Sequence, residues 1–199
     1  MKKGRILIVS GPSGVGKGTV LKELMKRHPN LRFSVSATTR DIRPGEVDGV
    51  HYYFVDKEAF EKMIREDALV EYAQYAGNYY GTPLAPMEEA LEQGISVILE
   101  IEVQGALQVM ARRKDAISIF IAPPAYEELR RRLYGRGDTA PEIAEKRLKI
   151  ALKECEQAKH YTYTVVNDTV EQAVKECEAI LLAESCRSEY YSINLKEEP

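Results

Sequence analysis

Apolar residues gather in four short runs along the chain. Residues 5–10 (RILIVS), 95–101 (ISVILEI), 116–121 (AISIFI) and 162–166 (TYTVV) are each short and rich in β-branched side chains. Runs with so little polar alternation predict strands covered on both faces. The stretches between carry a different spacing. Val20, Leu21, Leu24 and Met25 fall on one helical stripe. So do Ala144, Leu148, Ala151, Cys155 and Ala158, and again Val170, Ala173, Val174, Cys177, Ile180 and Leu181. Strands alternating with helices predict an α/β fold, a parallel sheet flanked by helices.

Two stretches interrupt that rhythm. Residues 33–83 are rich in Thr, Tyr, Gly and Arg, with short alternating runs at 50–55 and 69–75. They predict a small mixed-β insertion on the core. A second irregular stretch, 123 to about 147, carries four arginines and no acid between Arg130 and Arg136. Leu129 and Leu133 mark a helix face within it. After residue 185 the periodicity fades, as in a loosely held tail. At 199 residues the chain fits a single domain. We divide it into a core of about 1–32, 84–125 and 148–199, a lobe of about 33–83 and an arginine-bearing segment of about 126–147.

Composition changes this picture only by exclusion. Twenty-eight Lys and Arg stand against 31 Asp and Glu, a net charge of −3, so no global basic field offers itself to a nucleic-acid backbone. No run approaches the ~18 apolar residues of a membrane span, and the apolar run 6–9 is too short for a secretion signal. Three widely spaced cysteines read as structural thiols of a reducing cytoplasm. His28, His51 and His160 stand apart, without metal-ligand spacing.

The candidate chemistry starts where the first strand ends. Gly11-Pro12-Ser13-Gly14-Val15-Gly16-Lys17-Gly18-Thr19 lies between an apolar strand and a helical pattern, the context a P-loop requires. Glycines let several N–H groups converge on one anion, the helix adds its positive end, and the Lys17 ammonium reaches the outer phosphates. Gly18 stands where Ser or Thr commonly follows the lysine, with Thr19 next, so a hydroxyl meets magnesium either directly or through water. Dinucleotide binding fails on spacing, since Thr19 stands where a third glycine belongs. A GTPase reading lacks an NKxD.

The insertion bears on the acceptor. Arg40 and Arg43 stand three apart beside hydroxyls, and the arginine fork suits phosphate. Together with the P-loop, the strings SATTR-x-x-RPGE from Ser36, DG-x-x-YYFV from Asp48, GNYYGTP from Gly77, E-x-E-x-QGA from Glu100, RL-x-GRG from Arg132 and VVND from Val165 resemble the guanylate kinase family over roughly residues 5–184. The resemblance implies a P-loop NTPase-type parallel sheet with a mixed-β GMP-binding insertion and an Arg-rich helical lid. It implies transfer of the γ-phosphoryl group of ATP to GMP, giving ADP and GDP. It assigns Arg40, Arg43, Tyr52 and Tyr80 to the GMP phosphate, and Ser36, Glu71 and Thr82 to guanine. A carboxylate can accept from guanine's ring N–H and amine, and a hydroxyl can donate to its carbonyl. Arg132, Arg136 and Arg147 become lid and hinge arginines, catalytic with Lys17 and Arg40, and Asn167 an ATP contact beside the loop.

Glu100 and Glu102 share one strand face by period-2 alternation, at the end where ligands bind. Glu102 is assigned to the guanine amine or to magnesium-bound water. The remaining tyrosines Tyr53, Tyr72, Tyr75 and Tyr79 read as packing residues, Asp41 and Glu46 as turn-fixing acids, and Arg130 and Arg131 as a solvated run. The resemblance implies Mg²⁺ held by the nucleotide phosphates, ATP and GMP or dGMP as the partners, and neither nucleic acid, membrane nor obligate protein partner. Two alternatives stay open: a non-catalytic guanylate-kinase-like interaction module, and a P-loop kinase of another phosphorylated metabolite.

Overall fold

A computed structural model describes residues 3–75, 77–135 and 141–190. In chain order the elements are β1 (Ile6–Ser10), α1 (Lys17–Arg27), β2 (Leu31–Phe33), β3 (Ala37–Thr38), β4 (Tyr53–Phe54), α2 (Lys57–Arg65), β5 (Leu69–Tyr75) and β6 (Asn78–Pro83). Then come α3 (Leu84–Glu92), β7 (Ser96–Glu100), α4 (Val103–Arg112), β8 (Ile117–Ala122), α5 (Tyr126–Tyr134), α6 (Pro141–Cys155), β9 (Tyr163–Val166) and α7 (Val170–Ser185). A 3₁₀ turn follows α6 and another spans Ser188–Tyr190.

Five strands form one parallel sheet in the order β2-β7-β1-β8-β9. The unalternating apolar runs of β1, β7 and β8 have the predicted cause, while β9 buries only Val165, on one face. Along β1, Leu7 and Val9 enter one core cluster while Ile6 and Ile8 enter the other. The first face is covered by α1 through Val20, Leu21 and Leu24 and by α7 through Ala173, Val174 and Cys177. The second is covered by Met87 and Leu91 of α3 and by Val103, Ala106 and Val109 of α4. Burial pushes the Cys177 thiol up to about 12, so it stays protonated and unreactive. Because the chain passes from central β1 toward β2 on one side and from its neighbour β8 toward β9 on the other, the carboxyl ends of β1 and its neighbours enclose a switch-point crevice.

The insertion is a second, mixed sheet in the order β4-β3-β6-β5, with β3 parallel to β4 and antiparallel to β6. Its own small core is Ala37, Phe60 of α2 and Leu69, with Tyr79 stacked on Phe60 at 5.2 Å. Asp56 caps α2 by accepting from Ala59 N at 2.7 Å.

Four features differ from the sequence reading. β2 is a core strand the pattern does not show, because only Leu31 of its three residues is buried. Within the 123–147 stretch the described residues form α5 and the start of α6, and Leu129, Leu133, Leu148 and Ala151 of these helices pack together. Strand β7 stops at Glu100, and Glu102 is the extended N-cap of α4. Beyond residue 185, Tyr190 is held against the Arg5 guanidinium, 4.1 Å from its ring centroid. Among the described residues no helix is long and apolar enough to cross a membrane.

Candidate functional site

The phosphate loop leaves β1 and enters α1 through Gly16, whose φ of 93° is a left-handed conformation that disfavours any Cβ. A Cβ there would also lie 2.7 Å from Asn167 Nδ2. No acid stands in the first turn of α1 and no side chain caps it, so its N–H groups and positive end face the cavity unneutralised. That cavity, about 370 Å³, is lined by Ser13, Gly14, Gly16, Lys17, Gly18 and Thr19, with Lys22 and Glu100. The Lys17 ammonium donates to Gly11 O at 2.6 Å and Pro12 O at 3.2 Å, folded over its own loop. Val15 contributes no side chain to the cavity. It is fully buried, and its carbonyl accepts from Asn167 Nδ2 at 2.7 Å.

A second cavity of about 430 Å³ lies between the two sheets' edges. Seven of the eight residues assigned to GMP line it: Ser36, Arg40, Arg43, Tyr52, Glu71, Tyr80 and Glu102. Tyr75, read from sequence as packing, lines it as well. Glu100 lines both cavities, so the two adjoin at the end of β7. Glu102, which follows the end of β7 as the N-cap of α4, lines only the second of these cavities.

The eighth residue, Thr82, stands behind the wall, fully buried, and donates its hydroxyl to Glu71 Oε1 at 2.7 Å. That proton is committed to the carboxylate, and Thr82 lines an adjoining cavity of about 320 Å³ together with Ser36, Tyr52 and Glu100. Glu71 is 6% exposed, and burial raises its pKa against the opposing Thr82 hydrogen bonds. Its other oxygen abuts Gly105 in the first turn of α4, where a Cβ would stand 2.5 Å away. Gly105 is a site residue the sequence reading passed over inside its QGA string.

At the opposite wall, Arg40 forms a bidentate pair with Glu46, at 3.0 and 2.8 Å, and its guanidinium lies 5.4 Å from the Tyr52 ring centroid. The same Glu46 Oε2 accepts from Arg43 N at 2.8 Å, which pins the turn, and the Arg40 guanidinium first and this amide second hold the Glu46 carboxyl below its ordinary range.

The lid residues divide. Arg136 lies outside the described residues. Arg147 stands exposed on α6 and lines neither cavity. Arg132 also lines neither. Its guanidinium donates to Val15 O at 3.1 Å, Asn167 O at 3.0 Å and Asp168 O at 3.4 Å. Asn167 is likewise buried against the loop, where the resemblance had it touching ATP. Arg131 pairs with Glu128, and Arg130 lies over the Tyr134 ring. One acid was missed altogether. Glu154 of α6 is half-buried, with Ser13 N–H and the Lys17 ammonium stabilising its charge while burial, the largest effect, raises its pKa. Nothing local marks it, since it lies far along the chain from the loop it faces.

The comparisons with known proteins point to one family. The guanylate kinase family model matches residues 3–184. A guanylate kinase of Clostridium perfringens is 51% identical over 195 residues, covering 98% of this chain and 90% of that protein. One of Thermus thermophilus is 53% identical over 186 residues, covering 94% and 84%. The crystal structure of guanylate kinase from Anaplasma phagocytophilum superposes with a TM-score of 0.73 at 38% identity, covering 94% of this chain and 89% of that one. A family model spanning nearly the whole chain, with two relatives at about half identity, leaves one assignment: this chain belongs to the guanylate kinase family.

Proposed function

We infer that this protein is a nucleoside monophosphate kinase that transfers the γ-phosphoryl group of ATP to GMP or dGMP, releasing ADP and GDP or dGDP. The observation that carries the reading is the junction at Glu100 of a P-loop cavity with one walled by a buried carboxylate and an arginine fork. ATP phosphates sit on the unneutralised N–H groups at the start of α1, with Lys17 as the mobile cation. The acceptor phosphate meets Arg40, Arg43, Tyr52 and Tyr80. Guanine's ring N–H and amine donate to Glu71, with Ser36 beside it and Thr82 holding the carboxylate in place. Adenine offers no such donor pair and would leave Glu71 unmatched.

Phosphoryl transfer asks for in-line placement and dispersed cations rather than covalent chemistry. The Lys17 and arginine set fits that need, and no side chain is required as a catalytic base. Lid closure would bring Arg136 and Arg147 toward the transferring group and exclude water. Among the described residues no group of three or more His, Cys, Asp or Glu could cage a metal. The oxygen donors Thr19 and Glu100 in the phosphate cavity, and Glu102 beyond it, fit a magnesium ion carried by the nucleotide phosphates and touched by protein directly or through water. When bound, that ion would neutralise charge on the phosphates. The partners are the two nucleotides, in the cytoplasm, with no nucleic acid, membrane or obligate protein.

The test is ADP production in a coupled assay with GMP, AMP, CMP and UMP in turn. Turnover with GMP far above the others is expected. No nucleotide-dependent turnover would favour a binding module, and a preference for another monophosphate would reassign the acceptor.

A further inference from the structure

One guanidinium joins three separate parts of the nucleotide site. Arg132 on α5 reaches the carbonyl of Val15 in the phosphate loop and the carbonyls of Asn167 and Asp168 in the turn between β9 and α7. Asn167 closes the triangle by donating its amide to the same Val15 carbonyl. Beside this point Leu133 packs so closely on Gly14 that a Cβ there would lie 2.8 Å from Leu133 Cδ2. What aims Arg132 is Glu128, one helical turn earlier. Its Oε1 accepts from Arg132 Nε at 2.6 Å, leaving both terminal nitrogens for the three carbonyls. Arg131 holds the carboxylate from its other side, with Nε on Oε2 and Nη2 on Oε1, each at 2.7 Å.

We propose that Glu128 is a positioning residue for phosphoryl transfer, acting through Arg132 to set the phosphate loop and the Asn167–Asp168 turn in fixed relation to each other. This rests on the reading of the loop as the ATP phosphate site. Stability does not explain the arrangement. An i,i+4 pair whose side chains keep 21% and 22% of their exposure contributes only about 0.3–0.5 kcal/mol to a fold. Geometry does: a planar fork presents its donors in fixed directions, so fixing Nε fixes where Nη1 and Nη2 point. Without the carboxylate, Arg132 keeps its charge but loses its orientation. Val15 O then retains Asn167, and the loop is left against α5 by the packing of Leu133 and Leu129 beside Gly14. The acceptor cavity lies elsewhere and includes neither residue.

The experiment compares the parent with E128Q, E128D, R132Q and E128Q/R132Q in the coupled assay, with thermal melting and equilibrium titration of ATP alongside. E128Q should melt within a few degrees of the parent, lose about tenfold in kcat/KM for ATP, and keep its KM for GMP within twofold. E128D, which keeps the charge on a shorter arm, should recover part of that loss. In the R132Q background E128Q should have no further effect, since its role runs through Arg132. An E128Q enzyme with ATP parameters within twofold of the parent overturns the proposal. So do losses that add in the double variant, or equal losses toward ATP and GMP with a lowered melting point. Should E128Q fail to fold, E128D carries the same comparison. A parent that does not phosphorylate GMP would instead sink the functional reading itself, a result visible before any variant is made.

Discussion

Replacing Gly105 by alanine tests the guanine pocket from behind. The added Cβ would stand 2.5 Å from Glu71 Oε2 and 3.3 Å from its Cδ, where ordinary contact begins at 3.4 Å, so the carboxylate must retreat by 0.9 Å. It cannot do so freely. Glu71 is buried, and its other oxygen is held by Thr82 at 2.7 Å. A retreat of that size stretches or breaks a hydrogen bond to a charged group, worth about 1.5–3 kcal/mol, and misaligns the acceptor pair that guanine would meet. The helix responds oppositely. Gly105 has ordinary helical geometry in α4, where alanine is preferred by about 1 kcal/mol. The helix gain offsets only part of that loss for the unbound fold, leaving about 0.5–2 kcal/mol, so the melting temperature should fall by a few degrees. Recognition has no such offset. Loss of one charge-assisted bond to guanine should lower kcat/KM for GMP about 10- to 100-fold, with little effect on AMP. The assay is the ratio of those two efficiencies in parent and G105A, with a melting curve beside it. An unchanged ratio at an unchanged melting point would refute the claim that the carboxylate pressed against α4 reads the base.

Lys17→Ala should lower kcat about 10²–10³-fold while the melting curve holds, because it removes a cation from the transferring phosphates and little packing; near-parent turnover would sink the P-loop assignment. Arg40→Met and Arg43→Met should weaken GMP use and leave ATP binding unchanged by titration, and the reverse pattern would mean the two nucleotide sites are exchanged. Burial raises the Glu71 pKa, and guanine needs the charged form, so KM for GMP should rise on acidification starting above the ordinary carboxylate range. For the unbound protein the sign is opposite: the stability Glu71 contributes is fullest below the unfolded pKa and is lost as pH rises through the raised one. In Glu71→Gln the acid rise in KM should vanish and the preference for GMP over AMP should shrink; a rise that persists would place the titration elsewhere.

What the sequence made legible follows from how local each signal is. The phosphate loop is contiguous, and its flanking strand and helix are periodic, so residues 11–19 could be read directly. The strands β1, β7 and β8 announce themselves because both faces of each are covered, whereas the edge strand β9, with Thr164 and Val166 exposed, shows only through its β-branched run. Three-residue β2 shows no such run, with Arg32 and Phe33 exposed. The acceptor residues came through resemblance, and seven of them converge on one cavity. Position within that cavity was not legible. Thr82 lies behind Glu71, and whether a hydroxyl faces base or carboxylate depends on strand pairing between β5 and β6. Glu154 and Gly105 act through contacts between distant segments, which no spacing rule encodes, whereas the Glu128 pairs are local to α5, at i,i+3 and i,i+4. Arg132 illustrates the same limit: its place on one side of α5 was predictable, but its target, the Val15 carbonyl, was not.

The pairing of Arg40 with Glu46 has a further consequence. The fork is already occupied on both prongs, so any phosphate that claims it does so by exchange, one anion for another. The gain from such a swap is the difference between two similar attractions, which tempers affinity and favours a product that leaves readily. The displaced carboxylate also releases the Arg43 amide, since one Glu46 oxygen serves both. Arrival of the acceptor phosphate would therefore unlatch the 40–46 turn at the moment its arginines are needed, so that occupancy of the fork and the shape of the turn change together.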